Sequence, residues 1–385
     1  MENQTAGQIE SNKFESALPA VDATVAVFEE EHRSPLRRLQ HFLHAYPTMI
    51  PFIVLILSVV VFSLIVGTRF FAPLNLSLVL QQVTIIAVLG IAQTLIILTA
   101  GIDLSVGAIM VLSSIVMGRL AVVSGVPVEL SFPLGLLTGV ACGFVNGALV
   151  TRLKLPPFIV TLGTWSIFGA LVLFYSRSET LRQQDVEAVA AFLQWTGYAL
   201  NDGLRSVYGF ARENFGSETW PEWQFRFSGA RITYGSILMI IVAVVIWYIL
   251  NRTAFGRHIY ATGDDPDAAR LAGINTDRTL VAVYTIAGFI CAIGGWVLIG
   301  RIGAVSPLAG QMSNLDSITA VVIGGTSLFG GRGSIIGTLI GALIVGVFRN
   351  GLALAGLDAL WQEFAVGVLI IVAVALDQWI RRVSA

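Results

Sequence analysis

Charge is scarce in this chain. Only 12% of its 385 residues are Asp, Glu, Lys or Arg, and they nearly cancel to a net −1. Soluble domains average about 25% charged residues. With 55% of residues apolar, too few polar side chains exist to cover a water-facing surface. That excludes a soluble globular enzyme and a disordered chain, and the lack of basic excess excludes nucleic acid as a partner. Lysine is almost missing: Lys13 and Lys154 are the whole complement. Neither follows Gly and neither precedes Ser or Thr, so a phosphate-cradling loop G-x-x-x-x-G-K-[ST] cannot form. The chain cannot use ATP through that motif, so energy for uphill movement would come from a partner subunit or an ion gradient. Cysteine is limited to Cys142 and Cys291, both inside apolar runs, where thiols serve as small apolar fillers and imply no disulfide or metal. His32, His41, His44 and His258 lie outside every apolar run, and H-E-x-x-H, C-x-x-C and G-x-S-x-G do not occur. No catalytic group emerges and no cofactor is expected; the chain reads as a non-enzyme.

Long apolar runs are what it has. They fall at roughly 48–67, 75–99, 104–123, 131–150, 158–176, 233–250, 279–299, 314–330, 335–354 and 361–380. Runs of this length suit ~30 Å of hydrocarbon. Helices pair every backbone group within the segment, and the alternating pattern of a membrane barrel is missing. The expected fold is therefore an all-α polytopic membrane protein with about ten transmembrane helices. Residues 1–47 form a polar tail, too long for the n-region of a cleaved signal, with Arg33, Arg37 and Arg38 before the first run. Positive residues in short loops mark the cytoplasmic side. Arg152 with Lys154, Arg252 with Arg257, Arg332, and Arg381 with Arg382 all fall inside if ten crossings start from a cytoplasmic N-terminus; Arg69 and Arg301 are exceptions. The C-terminus is then cytoplasmic too. The chain divides into a tail (1–47), a first transmembrane half (48–176), an outer loop (177–232) and a second half (233–380) holding an inner loop (251–278). The outer loop is rich in aromatics and long enough for a surface helix or two, able to dock an external partner.

A weak repeat relates the halves. Asp103 opens the third run and Asp316 the eighth; Asn146-Gly147 ends the fourth and Asn350-Gly351 the ninth. The shift is five runs, an odd number, so the two five-helix halves are expected to be inverted, as in many transporters. The fourth run has Gly135, Gly139, Gly143 and Gly147 on one face, and the ninth begins with Gly333, Gly337 and Gly341. Such stripes let helix backbones approach closely.

Among the charges in or at the edge of apolar runs, Asp103, Asp316, Arg349 and Glu363 are the candidates. Each costs ~2.5–3.5 kcal/mol at a helix centre. Asp103 follows Gly101, which interrupts its run. It is either a helix cap near the interface or part of a broken helix facing a polar pathway. Candidate pathway companions are Gln82, Ser105, Asn146, Thr161, Trp165 and Asn314, with Gln81, Gln93, Thr99 and Thr164 nearby in the same runs. Hydroxyls, amides and an aromatic wall suit a neutral sugar or polyol, not an ion needing several carboxylates. The inner loop has its own helix signals. Asp265-Pro266 is a helix start with Pro at the first position, and Gly273 a left-handed stop. One short exposed helix is expected there, either a solvated connector or a lever for a cytoplasmic motor.

Three separated stretches carry a family resemblance: Leu-Thr-Ala-Gly-Ile-Asp-Leu-Ser-Val-Gly-Ala (98–108), Gly-Asp-Asp-Pro-Asp-Ala-Ala-Arg-Leu-Ala-Gly-Ile-Asn (263–275) and Gly-Gly-Thr-Ser-Leu-Phe-Gly-Gly-Arg-Gly-Ser (324–334). With Lys-Leu-Pro-Pro-Phe-Ile-Val-Thr-Leu-Gly (154–163), they resemble the membrane permeases of ribose/xylose/galactose-type sugar ABC importers over roughly residues 40–382. Arg-Ile-Gly-Ala-Val-Ser-Pro (301–307) makes the chain most similar to the fructose-importer permeases. The resemblance implies a permease subunit of an ATP-driven monosaccharide importer in the bacterial inner membrane. Its partners would be a second permease copy, a cytoplasmic ATPase and a periplasmic sugar-binding protein. It also implies that Asp264, Pro266, Ala268, Ala269, Arg270 and Gly273 couple to the ATPase. An ion-coupled secondary sugar transporter is the alternative, since inverted halves fit it equally; a passive polyol channel is a third reading.

Overall fold

The computed structural model describes residues 49–200, 231–310 and 312–381. The chain divides into two units, Met1–Ala45 and Tyr46–Ala385, and every described residue lies in the second. The expected tail, Tyr208, Trp220 and Trp223 of the outer loop, and Arg382 fall outside the described residues.

The described residues are mostly helical. The helices are α1 Met49–Val66, α2 Pro73–Leu98, α3 Val106–Val122, α4 Val128–Leu153, α5 Pro157–Ser176, α6 Gln183–Ala190, α7 Tyr234–Arg252, α8 Ala254–Asp264, α9 Pro266–Leu271, α10 Thr276–Ile302, α11 Ser313–Ile323, α12 Ile335–Leu354 and α13 Ala359–Arg381. Short 3-10 helices cover Gly67–Phe71 and Ala191–Gly197. Extended pairing among the described residues is limited to two isolated bridges, Leu181 with Val305 and Ala199 with Thr233. Helix starts follow local chemistry. Pro73 and Pro157 sit in the first turn, where a missing N–H costs nothing. Thr233, Asn275 and Ser334 accept backbone N–H bonds as side-chain caps of α7, α10 and α12.

All ten apolar runs contain a helix, and the protein is an all-α polytopic membrane protein. Seven helices are long and apolar enough to cross alone: α1 with its 3-10 extension, α2, α4, α5, α7, α10 and α12. Three apolar helices are shorter, Val106–Val122, Ser313–Ile323 and Ala359–Leu369. The eighth run, expected as a helix over 314–330, is corrected here. Its helix stops at Ile323, and 324–334 is irregular. Eleven residues rise only about 16 Å, short of the hydrocarbon thickness. The chain reaches α11 along α3: Val305 packs where Gly118 lacks a side chain, Gly310 beside Met110, and Asn314 beside Gly107. Irregular backbone at membrane depth survives where protein buries it.

The long helices α2 and α10 form the centre. They pack on each other; α2 also packs against α11 and α12, and α10 against α3 and α4. In run order the second meets the eighth and ninth, while the seventh meets the third and fourth, the same shift of five that the repeat shows. Both glycine stripes are packing seams. A Cβ on Gly139 or Gly143 would run into the Gly288 or Tyr284 carbonyl of α10, and one on Gly337 or Gly341 into the Gly324 or Ala320 carbonyl.

The start of the 177–232 loop is folded onto the bundle. Rings of Tyr234, Trp195, Trp296 and Phe192 stack in a column with successive centroids 4.5, 5.8 and 5.2 Å apart. The Thr196 hydroxyl donates to the Trp296 carbonyl, and the Gln194 amide to Gly303.

Candidate functional site

The helical path breaks after α2. Ala100 takes φ 59°, and the backbone runs irregularly to Ser105 before α3. Peptide groups in such a break need partners from neighbouring helices. Thr161 of α5 accepts from the Leu104 N–H at 3.3 Å and donates to the Ile102 carbonyl at 3.0 Å. Asn314 of α11 donates to the Leu104 carbonyl at 3.2 Å. Gln93 of α2, with its amide in the orientation that satisfies both ends, donates to the Asp103 carbonyl at 3.1 Å and accepts from the Asp103 N–H at 3.2 Å. The Asp103 carboxylate closes the turn just before α3. Its Oδ1 accepts from the Ser105 N–H and hydroxyl at 2.6 Å each, and Asn146 of α4 donates to Oδ2 at 3.3 Å and to the Ser105 hydroxyl at 2.8 Å.

Asp103, Ser105, Asn146, Thr161 and Asn314 thus form one buried network joining α3, α4, α5 and α11 to the break. Spare valences surround it: Asn146 Oδ1, Asn314 Oδ1 and the Tyr284 hydroxyl are buried with no partner among the described residues. Two expected companions lie apart. Gln82 is eleven residues before Gln93 on α2, about 16 Å along the axis, and Trp165 is 41% exposed on the outer face of α5.

Asp316, Arg349 and Glu363 pair with one another. Arg349 of α12 bonds Asp316 of α11 at 2.7 and 3.2 Å and Glu363 of α13 at 3.0 Å. Pairing is what makes buried charge tolerable. The repeat is not kept in these contacts, since Asn350 bonds Asn75 at 2.9 Å and not Asp316.

The 251–278 loop, expected to carry one short helix, carries two, α8 and α9, meeting at an elbow. Asp265 caps α9, its Oδ1 accepting from the Asp267 and Ala268 N–H groups at 2.9 Å, with Pro266 in the first turn. Gly273 takes φ 87° beyond the end, its N–H donating to the Arg270 carbonyl at 3.0 Å. Arg270 holds Asp267 at 3.2 Å, Asp277 at 3.6 Å and the Thr276 hydroxyl at 2.9 Å. Ala269 packs inward; Asp264, Pro266, Ala268, Arg270 and Gly273 are exposed. The residue not singled out from sequence is Leu271, 91% exposed at the tip of α9. Phe329, in the 324–334 loop, is 75% exposed.

The elbow is wired to the break. Gly263 of α8 lies against the Leu98 carbonyl so closely that a Cβ has no room. The Gly331 N–H donates to that carbonyl at 3.0 Å. Tyr260 of α8 donates to the Gly333 carbonyl at 3.0 Å. Burial pushes its phenol above the usual tyrosine range, keeping it a donor. Displacement of α8 therefore bears directly on the end of α2 and on the loop between α11 and α12.

A helical membrane bundle with a broken crossing is a scaffold that transporters use. The chain matches the family described as branched-chain amino acid transport system / permease component over residues 75–374, and belongs to that family. It is 52% identical over 384 residues to the fructose import permease protein of Rhizobium meliloti, covering 100% of this chain and 99% of the relative. It is 38% identical over 338 residues to the ribose import permease protein of Bacillus subtilis, covering 88% and 95%. The D-allose transport system permease protein of Escherichia coli K12 is 34% identical over 333 residues, covering 86% and 91%. No solved structure matches.

Proposed function

We propose that this chain is the membrane subunit of an ATP-driven importer that carries a monosaccharide, fructose or ribose-like, inward across the bacterial inner membrane by alternating access. The relatives' names support a sugar cargo, and the full-length similarity to a fructose permease favours fructose. In this reading a cytoplasmic ATPase grips α8–α9, a periplasmic binding protein delivers sugar to the outer face, and a second copy of the chain completes the pathway. Both termini are cytoplasmic, 177–232 is periplasmic, and the halves are inverted. Phe158 and Trp165, exposed on one side of α5, and the open space beside Gly163 and Gly169 support the second copy. Sugar hydroxyls would meet the spare valences of Asn146, Asn314 and Tyr284 when the break opens.

The observation that carries the proposal is the contact of Gly263 and Gly331 with the Leu98 carbonyl, because it joins the motor-facing helix to the broken crossing. Ion coupling lacks such support: Asp316 is paired with Arg349, and Asp103 is bonded to Ser105 and Asn146.

Leu271→Asp tests it. An apolar anchor at a docking surface is worth about 2 kcal/mol or more, roughly 30-fold in affinity. In liposomes holding permease, ATPase and binding protein, the variant is expected to insert normally but to lose at least tenfold of ATP-dependent uptake and of ATPase copurification. Wild-type uptake with this variant would mean that α9 is a solvated connector.

A further inference from the structure

A groove beside the elbow has no role in coupling as described above. The last turn of α4 and the first turns of α10 line an open groove of about 530 Å³, bordered by Arg152, Asp277, Arg278, Val281, Ala282 and Ile286. A smaller pocket of about 270 Å³ shares Thr151 and Asp277 with it and extends to Lys154 and Arg270. The two ends of the groove differ in chemistry. The mouth carries Arg152 and Arg278 on the larger cavity and Lys154 on the adjoining smaller one, exposed side chains without an ion pair among the described residues. The acid there, Asp277, is engaged by Arg270. The floor is half-buried and apolar, formed by Val281, Ala282 and Ile286. From Thr276 to Ile286 the helix rises about 15 Å, enough to pass from headgroup level into hydrocarbon.

We infer that this groove holds an anionic phospholipid of the leaflet bordering the elbow, its phosphate among Arg152, Lys154 and Arg278 and an acyl chain along Val281 and Ile286. Charge complementarity selects the headgroup, since a zwitterionic lipid brings its own cation to a mouth that already has three. The apolar floor selects a lipid over a soluble anion, which would leave Val281 and Ile286 uncovered. Basic pockets between helices at the cytoplasmic face are suited to such headgroups. The bound lipid braces α4 against α10 next to the Arg270–Asp277 contact that holds α9. Neither the ATPase nor the cargo enters this inference.

The test uses the full chain in detergent, titrated with phosphatidylglycerol or phosphatidylcholine and read by native mass spectrometry. Phosphatidylglycerol is expected to be retained at least tenfold better, and millimolar inorganic phosphate not to displace it. Arg152→Gln with Arg278→Gln removes the charge, and Ala282→Trp fills the floor without touching charge; each is expected to lower retention at least tenfold. Arg69→Gln, on the 3-10 turn after α1, is expected to leave it unchanged. If the double variant fails to fold, Ala282→Trp decides. Equal retention of the two lipids, retention unmoved by Ala282→Trp, or displacement by inorganic phosphate overturns the inference.

Discussion

Leucine in place of Gly143 is expected to abolish recovery of folded protein. Gly143 is the middle of the α4 stripe, and its Cα lies against the Tyr284 carbonyl of α10. Gly139 and Gly288 make the same backbone-to-backbone approach one turn away. Overpacking a core commonly costs about 1–3 kcal/mol because side chains can shift. Here the obstacle is a helix carbonyl held in its own hydrogen-bond ladder, so the helices themselves must separate, and separation releases the close contacts that bind them. Fluorescence-detected size-exclusion chromatography of a tagged chain should show aggregate and no monodisperse peak. Gly367→Leu on α13 is the matched control, since nothing lies within 4 Å of a Cβ there, and its peak is expected at the wild-type position. A monodisperse Gly143→Leu protein would contradict the seam.

Alanine at Asp103 is the second large effect. It strands three buried donors: the Ser105 N–H, the Ser105 hydroxyl and one Asn146 N–H. Each unsatisfied buried group costs about 1–3 kcal/mol, so a loss of about 3 kcal/mol or more is expected, read as a lower midpoint in a thermal aggregation assay. Asp103→Asn is milder, because one oxygen remains for Ser105, but its amide N–H faces the Asn146 N–H. The exchange Asp103→Asn with Asn146→Asp restores an amide opposite a carboxylate and is expected to recover stability and uptake together. Uptake that stays lost while the midpoint recovers would assign the Asp103 charge a direct contact with the sugar.

The parts legible in the amino-acid sequence are those set by local chemistry. Apolar runs specify ten helices, Asp265-Pro266 and Gly273 specify the limits of α9, and Gly101-Ile102-Asp103 marks a break. The parts that were not legible depend on partners distant in sequence. α11 ends inside an apolar run because Gly324 must lie against the Gly337 backbone, and hydropathy does not separate helix from buried irregular chain. Gln82 and Gln93, eleven residues apart, share a helix face, since three turns bring the direction back nearly unchanged. Periodicity gives that direction but not the depth, and only Gln93 is level with the break. Trp165 directly follows buried Thr164, so it sits about 100° round α5 and faces outward. Leu271 left one signal: it is two positions from inward-packed Ala269 on a six-residue helix, which points it the other way.

The central claim is that this bundle is moved by a separate engine acting at its elbow. Its most direct test is sugar accumulation in sealed liposomes, with the purified chain alone and with the ATPase subunit, the binding protein and ATP supplied. The account predicts that the chain alone never raises internal sugar above the outside concentration, and that the complete set does so and is indifferent to a protonophore. Accumulation by the chain alone, or uptake by the complete set that a protonophore abolishes while ATP remains, would contradict it.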